Sequence, residues 1–260
     1  MTWALRRQFL YVCILLAFFL ALGFFVSYPY LHKAPSCFNF QKDGDETGID
    51  CGGSCAKSCN AEVDPVAVLW ARSFRVVGDR YNAVAYLENK NTNNAVGQVH
   101  YEFRFADKDN VYLGKRTGVT SVPPSGRFAV FEPAIDVGTG MPVYTTFQFT
   151  EEPTWVKVSQ AKIDQLKIAV NGIDLEGETT SPRLTATITN DSLWRIPDIS
   201  VVSILYNQKG DAVNASRTYV SALLPEGSAD LSFTWPEPFP EHIVSEDILP
   251  MYNIFEVTFK

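Results

Sequence analysis

Histidine is scarce in this chain. Three occur in 260 residues (His32, His100 and His242), and none stands in an H-x-x-x-H or H-E-x-x-H spacing. That removes the usual zinc-hydrolase helix, in which two histidines one turn apart hold the metal. No G-x-S-x-G elbow and no phosphate-binding glycine loop occurs either, so serine-hydrolase and nucleotide readings lose their anchors. Basic charge is also short: 22 Lys and Arg stand against 29 Asp and Glu. The first 26 residues hold two bases and no acid, which leaves 20 bases against 29 acids, a formal charge of −9, in the remainder. A nucleic-acid binder neutralises phosphates with Lys and Arg, so that class is excluded, and so is docking of the bulk on an anionic membrane surface. Beyond the N-terminal region no long stretch shows the 3.6-residue period of an amphipathic helix.

What the N-terminus does have is a long apolar run. Phe9 to Val26 carries no charge, and with Ser27 and Tyr28 it reaches the roughly 20 residues a helix needs to cross a bilayer. A cleaved signal peptide is the rival reading, but its apolar region is usually shorter and ends in small residues, whereas this run leaves through Gly23-Phe24-Phe25-Val26-Ser27-Tyr28. A lipoprotein signal fits badly, because Ala34-Pro35-Ser36-Cys37 lies well past the run. Residues 1–8 are therefore expected in the cytoplasm, 9–28 as an uncleaved transmembrane helix, and the bulk outside. Arg6 and Arg7 ahead of the run, against Lys33 and Lys42 after it, give that orientation a narrow margin. Cys13 inside the run reads as filler.

The other four cysteines, Cys37, Cys51, Cys55 and Cys59, cluster in the C-x13-C-x3-C-x3-C spacing. Such a cluster persists as bridges in an oxidising compartment, which adds an independent vote for export. Two disulfides are expected, with all three connectivities open. A bridge such as Cys37–Cys51 would close about 15 residues, which in the chain-entropy model contributes roughly 3 kcal/mol. The segment needs such staples, because Phe38, Phe40 and Ile49 are too few to form a core. Zinc and thioredoxin-like redox readings lack the paired C-x-x-C they favour. Among the cysteines, Asp43, Asp45, Thr47 and Asp50 flank Gly44 and Gly48 and partly follow the order of an EF-hand loop. Position 12 of that loop would be Ser54, so the bidentate Glu is missing. A calcium ion held there would bind weakly, with Kd on the order of 0.1–1 mM. Otherwise no cofactor is expected, and the acids serve turn geometry.

From about Val66 the pattern becomes period two, one face apolar and one polar. Val99, Tyr101, Phe103 and Phe105 alternate with His100, Glu102 and Arg104. Leu184, Ala186 and Ile188 alternate with three threonines, and Phe255, Val257 and Phe259 with Glu256 and Thr258. Pro124-Ser125-Gly126 and Pro225-Glu226-Gly227 lie about 100 residues apart, as do Tyr101 and Val201. The chain thus reads as all-β: a transmembrane helix, a Cys-rich neck at 29–62, and two tandem immunoglobulin-like β-sandwiches near 64–162 and 163–260. Trp70 and Trp155 suit a core. Trp194, at a loop entering a strand, is a candidate surface anchor for a sugar or protein partner. The acid pairs Glu151–Glu152 and Glu246–Asp247 read as solvated turns, and Asn190 and Asn214 begin N-x-S sequons.

The segments Ile188–Ser192, Val201–Val213 and Leu223–Phe233 resemble FxLYD-type domains, immunoglobulin-like sandwiches of bacterial exported proteins. Leu87–Thr92, Val99–Leu113 and Val122–Phe131 match more loosely. The run from Asp45 to Cys55, with its CGGxC ending, is similar to a Cys-rich motif of exported proteins. The whole layout resembles uncharacterised single-pass surface proteins of bacteria with reduced genomes. The resemblance implies fold and location and no activity. The expected role is binding or scaffolding of an envelope protein or surface ligand. A structural subunit of an envelope assembly is the alternative, and an exported enzyme the distant third.

Overall fold

A computed structural model describes residues 3–31, 36–138 and 140–259. His32 and Lys33 lie outside them. Two compact units result, residues 1–59 and 60–260. The first contains helix α1 (Trp3–Leu31) and the Cys-rich module. Within α1 the stretch Arg7–Pro29 is long and apolar enough to cross a membrane, and none of it is buried against protein. Its exposed faces are apolar all round, as expected for a helix solvated by lipid.

Among the described residues the second unit holds fourteen strands, one short α-helix and a 3-10 turn at Asn60–Glu62. β1 (Ala67–Val77), β2 (Arg80–Asn89), β3 (Asn94–Ala106), β4 (Tyr112–Val122), β5 (Gly126–Asp136), β6 (Tyr144–Phe149) and β7 (Val156–Lys157) precede helix α2 (Gln160–Gln165). β8 (Ile168–Glu176), β9 (Arg183–Asn190), β10 (Trp194–Tyr206), β11 (Ala212–Leu223), β12 (Ser228–Thr234), β13 (Ser245–Met251) and β14 (Thr258–Phe259) follow. The two sets repeat one topology. Sheet β1-β2-β5 corresponds to β8-β9-β12, and β4-β3-β6 to β11-β10-β13; β7 pairs with the start of β3 as β14 does with the start of β10. Seven antiparallel strands in two sheets is the immunoglobulin-like arrangement. The sequence boundary at 162/163 falls inside α2.

Each sandwich has its own core. Leu87, Val99, Phe103, Phe105 and Phe128 are buried in the first, with Trp155 at its edge. Leu184, Ile188, Ile196, Ile199 and Phe233 fill the second, with Trp235. A third apolar layer lies between the sandwiches: Phe74, Val84, Tyr86, Ala129 and Phe131 from β1, β2 and β5 meet Val202, Ile204, Ala212 and Ala215 from β10 and β11. Strands β2, β5 and β10 are therefore buried on both faces, which departs from the expected one-wet-face pattern. Their sequences show why: Ala83–Leu87, Phe128–Phe131 and Val201–Leu205 carry hardly a polar residue, the mark of a strand covered on two sides. Trp70 belongs here rather than in its own sandwich core, half-buried against Phe74 and Tyr86.

Polar contacts register the interface. The hydroxyls of Tyr86 and Tyr206 both donate to Asp247 Oδ2, at 2.8 and 2.9 Å. Arg72 donates to the Ala212 carbonyl at 3.3 Å, and Arg217 to that of Phe131 at 3.3 Å. Asp247 is thus a half-buried acceptor on β13, not part of a solvated turn. Helix α2 begins at Ser159, whose side chain accepts from the Lys162 amide. Lys162 Nζ donates to the carbonyls of Ile254 and Val257, at 2.8 and 3.3 Å. The final alternating run is not a full strand. Only Thr258–Phe259 pairs, Phe255 and Phe259 face solvent, and Val257 alone is buried.

Candidate functional sites

In the Cys-rich module the bridges are Cys37–Cys55 and Cys51–Cys59, so the Cys37–Cys51 pairing is not the one formed. They close loops of 18 and 8 residues. The interior is the sulfur pairs with Ser58 and Glu46, not a hydrophobic core. Two glycines are required by close approach. A Cβ on Gly48 would lie 2.7 Å from the sulfurs of Cys51 and Cys59. One on Gly53, at φ +51, would lie 2.2 Å from the Asp45 carbonyl. Gly53 of the CGGxC pattern, and Gly48 ahead of it, are therefore set by packing as well as by turns.

The four suggested calcium ligands have separate tasks. Asp50 accepts the amides of Asn39 and Phe40, both at 2.9 Å. Asp43 accepts the Ser36 amide at 2.9 Å and the Asn39 side chain at 2.7 Å. Asp45 accepts the Ser54 hydroxyl at 2.9 Å, and the Thr47 hydroxyl lies 3.4 Å from Cys59 Sγ. Asp43 and Asp50 thus hold the turn at residues 36–40, while Asp45 and Thr47 meet Ser54 and Cys59. The compact ligand-type group among the described residues is Cys37, Glu46 and Cys55, whose two sulfurs are spent in a bridge.

Trp194 is half-buried rather than free. Its indole N–H donates to Gln165 at 3.3 Å, Phe259 meets it edge-on at 5.0 Å, and the Lys162 ammonium lies 5.1 Å from its ring. The register Trp194↔Phe259 places both rings on one face. Together with Leu193, Asp164 and Asp191 they line a hollow of about 270 Å³. The matching register in the first repeat is Asn94↔Lys157, so this aromatic pair is particular to the second sandwich.

A larger cleft of about 340 Å³ lies on the seam of the two sandwiches, lined by Gln98, Thr120, Ser121, Asp198, Asn253 and Glu256 among others. Asp198 sits mid-strand at φ +50 and accepts a hydrogen bond from the Tyr219 hydroxyl, which raises the pKa of that tyrosine. The cleft had no local signature in the sequence, since its two sides are about 80 to 160 positions apart.

Sequence reading also missed a pair of buried asparagines. Asn89 donates to the carbonyls of Asn94 and Pro123 and accepts the Asn91 amide. Asn190 donates to Trp194 and Leu224 and accepts the Ser192 amide. Each ties the second-to-third strand turn to the fourth-to-fifth strand turn of its repeat. Their place at the end of an apolar strand, 101 residues apart, was the available signal. Both sequon readings change accordingly: Asn190 is fully buried, and Asn214 lies on β11.

The two described histidines form surface pairs. His100 contacts Glu151 at 2.7 Å and His242 contacts Glu178 at 3.0 Å, both histidines more than half exposed. Glu152 accepts the side chain of Asn60 at 2.9 Å. Glu102, expected on a wet face, is buried between Arg104 and Lys115, at 2.5 and 2.7 Å. Hydrogen bonds from Lys115 and Arg104 hold its pKa below the usual carboxylate range.

No protein-family model matches the chain, and no curated protein matches it. Among solved structures, a red sea bream transglutaminase matches at 10% identity over 71% of this chain, with a TM-score of 0.24. The 7S globulin of Momordica charantia matches at 6% identity over 69% of this chain and 81% of its own, with a TM-score of 0.13. The chain covers 29% of the transglutaminase, and at these scores neither likeness carries an argument about activity.

Proposed function

We propose that this is a single-pass membrane protein, its N-terminus in the cytoplasm, that displays a rigid pair of immunoglobulin-like sandwiches outside the membrane to bind or scaffold a partner there. The resemblance to bacterial surface proteins with FxLYD-type domains belongs to the same proposal. The observation that carries it is the order of parts: a lipid-compatible helix, a module whose interior is two disulfides, then two sandwiches fused by an apolar layer. Disulfides fit an oxidising, extracytoplasmic compartment. Fusion of the sandwiches fixes the spacing of the seam cleft and the Trp194 hollow, so recognition elements are preorganised.

Crosslinking in intact cells, followed by mass spectrometry, tests the role. A reproducible envelope protein or surface polymer joined to the 60–260 unit is expected. Recovery of the uncrosslinked protein as a free monomer only, under all crosslinker lengths, would sink it. The assembly-subunit reading differs in one respect: gentle detergent extraction would then return a stoichiometric complex.

A further inference from the structure

We infer that the stapled module makes a second contact with the membrane crossed by α1, through the side chains of Phe38 and Phe40. This deepens the anchored reading and rests on it. The module's apolar side chains form no core and face outward instead. Phe38 is 92% exposed, Phe40 85% and Ile49 62%. Two phenyl rings this open, two residues apart on one turn, are apolar exposure of the grouped kind that marks a contact with a membrane or a partner.

The turn that presents them is built, not slack. Phe40 has φ +58, a left-handed conformation that is an outlier for a bulky residue and persists only where its surroundings enforce it. Asp50 enforces it, one oxygen accepting the Asn39 amide and the other the Phe40 amide. Asp43 grips the Asn39 side chain, and the Cys37–Cys55 bridge fixes the turn's first residue to the rest of the module. Two carboxylates and a disulfide thus hold a turn whose outward chemistry is two phenyl rings.

The tether selects the occupant. Phe38 follows the last residue of α1, Leu31, by seven residues, so even full extension places it within about 25 Å of the helix end. The headgroup layer occupies roughly the first 5–8 Å beyond the hydrocarbon core. A phenyl ring has no polar group to satisfy and gains by leaving water for the headgroup–acyl boundary. Asp43, Asp45 and Asp50 stay engaged inside the module, and Lys42, two residues past Phe40, can meet a lipid phosphate. With four acids and two lysines between Ser36 and Cys59, the module suits zwitterionic lipid better than anionic lipid.

The test is p-benzoylphenylalanine placed singly at Leu16, Phe38, Phe40 and Tyr219 of the full chain, reconstituted in phosphatidylcholine vesicles, irradiated and weighed intact. Lipid adducts are expected at Leu16, Phe38 and Phe40 and lost at Tyr219. Adducts at Leu16 without adducts at Phe38 and Phe40 would overturn the second contact and leave the anchor standing. No adduct at Leu16 would overturn the anchor, and the inference with it. Equal adducts at Tyr219 would also overturn it, because they would report collision rather than docking. So would the same substitutions in intact cells if Phe38 and Phe40 joined protein alone.

Discussion

Asn89 and Asn190 show how single side chains hold this fold. Each sits almost fully buried at the end of a strand and satisfies two carbonyls and one amide that the turns leave open. Asn190→Ala would strand the carbonyls of Trp194 and Leu224 away from water, and a buried unsatisfied group costs about 1–3 kcal/mol. A loss of about 2 kcal/mol or more in urea unfolding is expected, with Thr187→Ala on the same strand as a near-neutral control. Glu102 gives the pH dependence. Its folded-state pKa is depressed, so its contribution is complete above the unfolded value of about 4.3 and fades as pH falls through the folded one. Thermal melts between pH 6 and 3 should fall less steeply for Glu102→Gln than for the parent. Glu151 is depressed in the same direction by His100, so the slope should flatten without vanishing. None of this was legible from residue type alone: Glu102 alternates like a wet-face residue, and it leaves solvent because Arg104 on its own strand and Lys115 across the β3–β4 ladder close over it.

At the scale of strands, the repeat exposes its own logic. The sheet face that the first sandwich turns toward the second carries Val84, Tyr86, Ala129 and Phe131. The positions matched through the asparagine ladder in the second carry Thr185, Thr187, Asp230 and Ser232. Conversely, Val202, Ile204 and Ala215 in the interface replace Glu102, Arg104 and Lys115 on the open sheet of the first. One interface is made, and the two equivalent outer faces are polar, which stops a head-to-tail contact from propagating into a fibre. Ile204→Asp should therefore unfold or separate the pair, because the carboxylate would be buried without a partner. Proteolysis within the 158–167 connection, monitored on a gel, would report the separation. Strand existence and the repeat were readable from alternation and the paired Pro-x-Gly turns. The double burial was also written, in the nearly unbroken apolar runs of β2, β5 and β10. What those runs meet depends on tertiary docking, which has no local signature. The same limit explains the run from Phe255 to Phe259, where alternation held but strand pairing covered only two residues.

For the whole molecule, the shared apolar layer makes the two sandwiches one compact unit. A fragment ending at Lys157 would keep its own core but bare Phe74, Val84, Tyr86 and Phe131, so it should aggregate or bind a hydrophobic dye, while residues 60–260 stay monomeric in light scattering. High pH should loosen the same seam. Burial and the Asp247 hydrogen bond raise the pKa of both Tyr86 and Tyr206. Their contribution is complete below the unfolded tyrosine value of about 10 and is lost as pH rises through the folded values. Fluorescence melts at pH 9 and 11 should differ more in the parent than in Asp247→Asn. All these parts serve display only if the bulk of the chain stands outside the membrane. The most direct measurement is labelling of Lys209→Cys, on the exposed β10–β11 turn, with a membrane-impermeant maleimide in intact cells. Labelling before lysis is the expected result. Protection until the membrane is broken would contradict it.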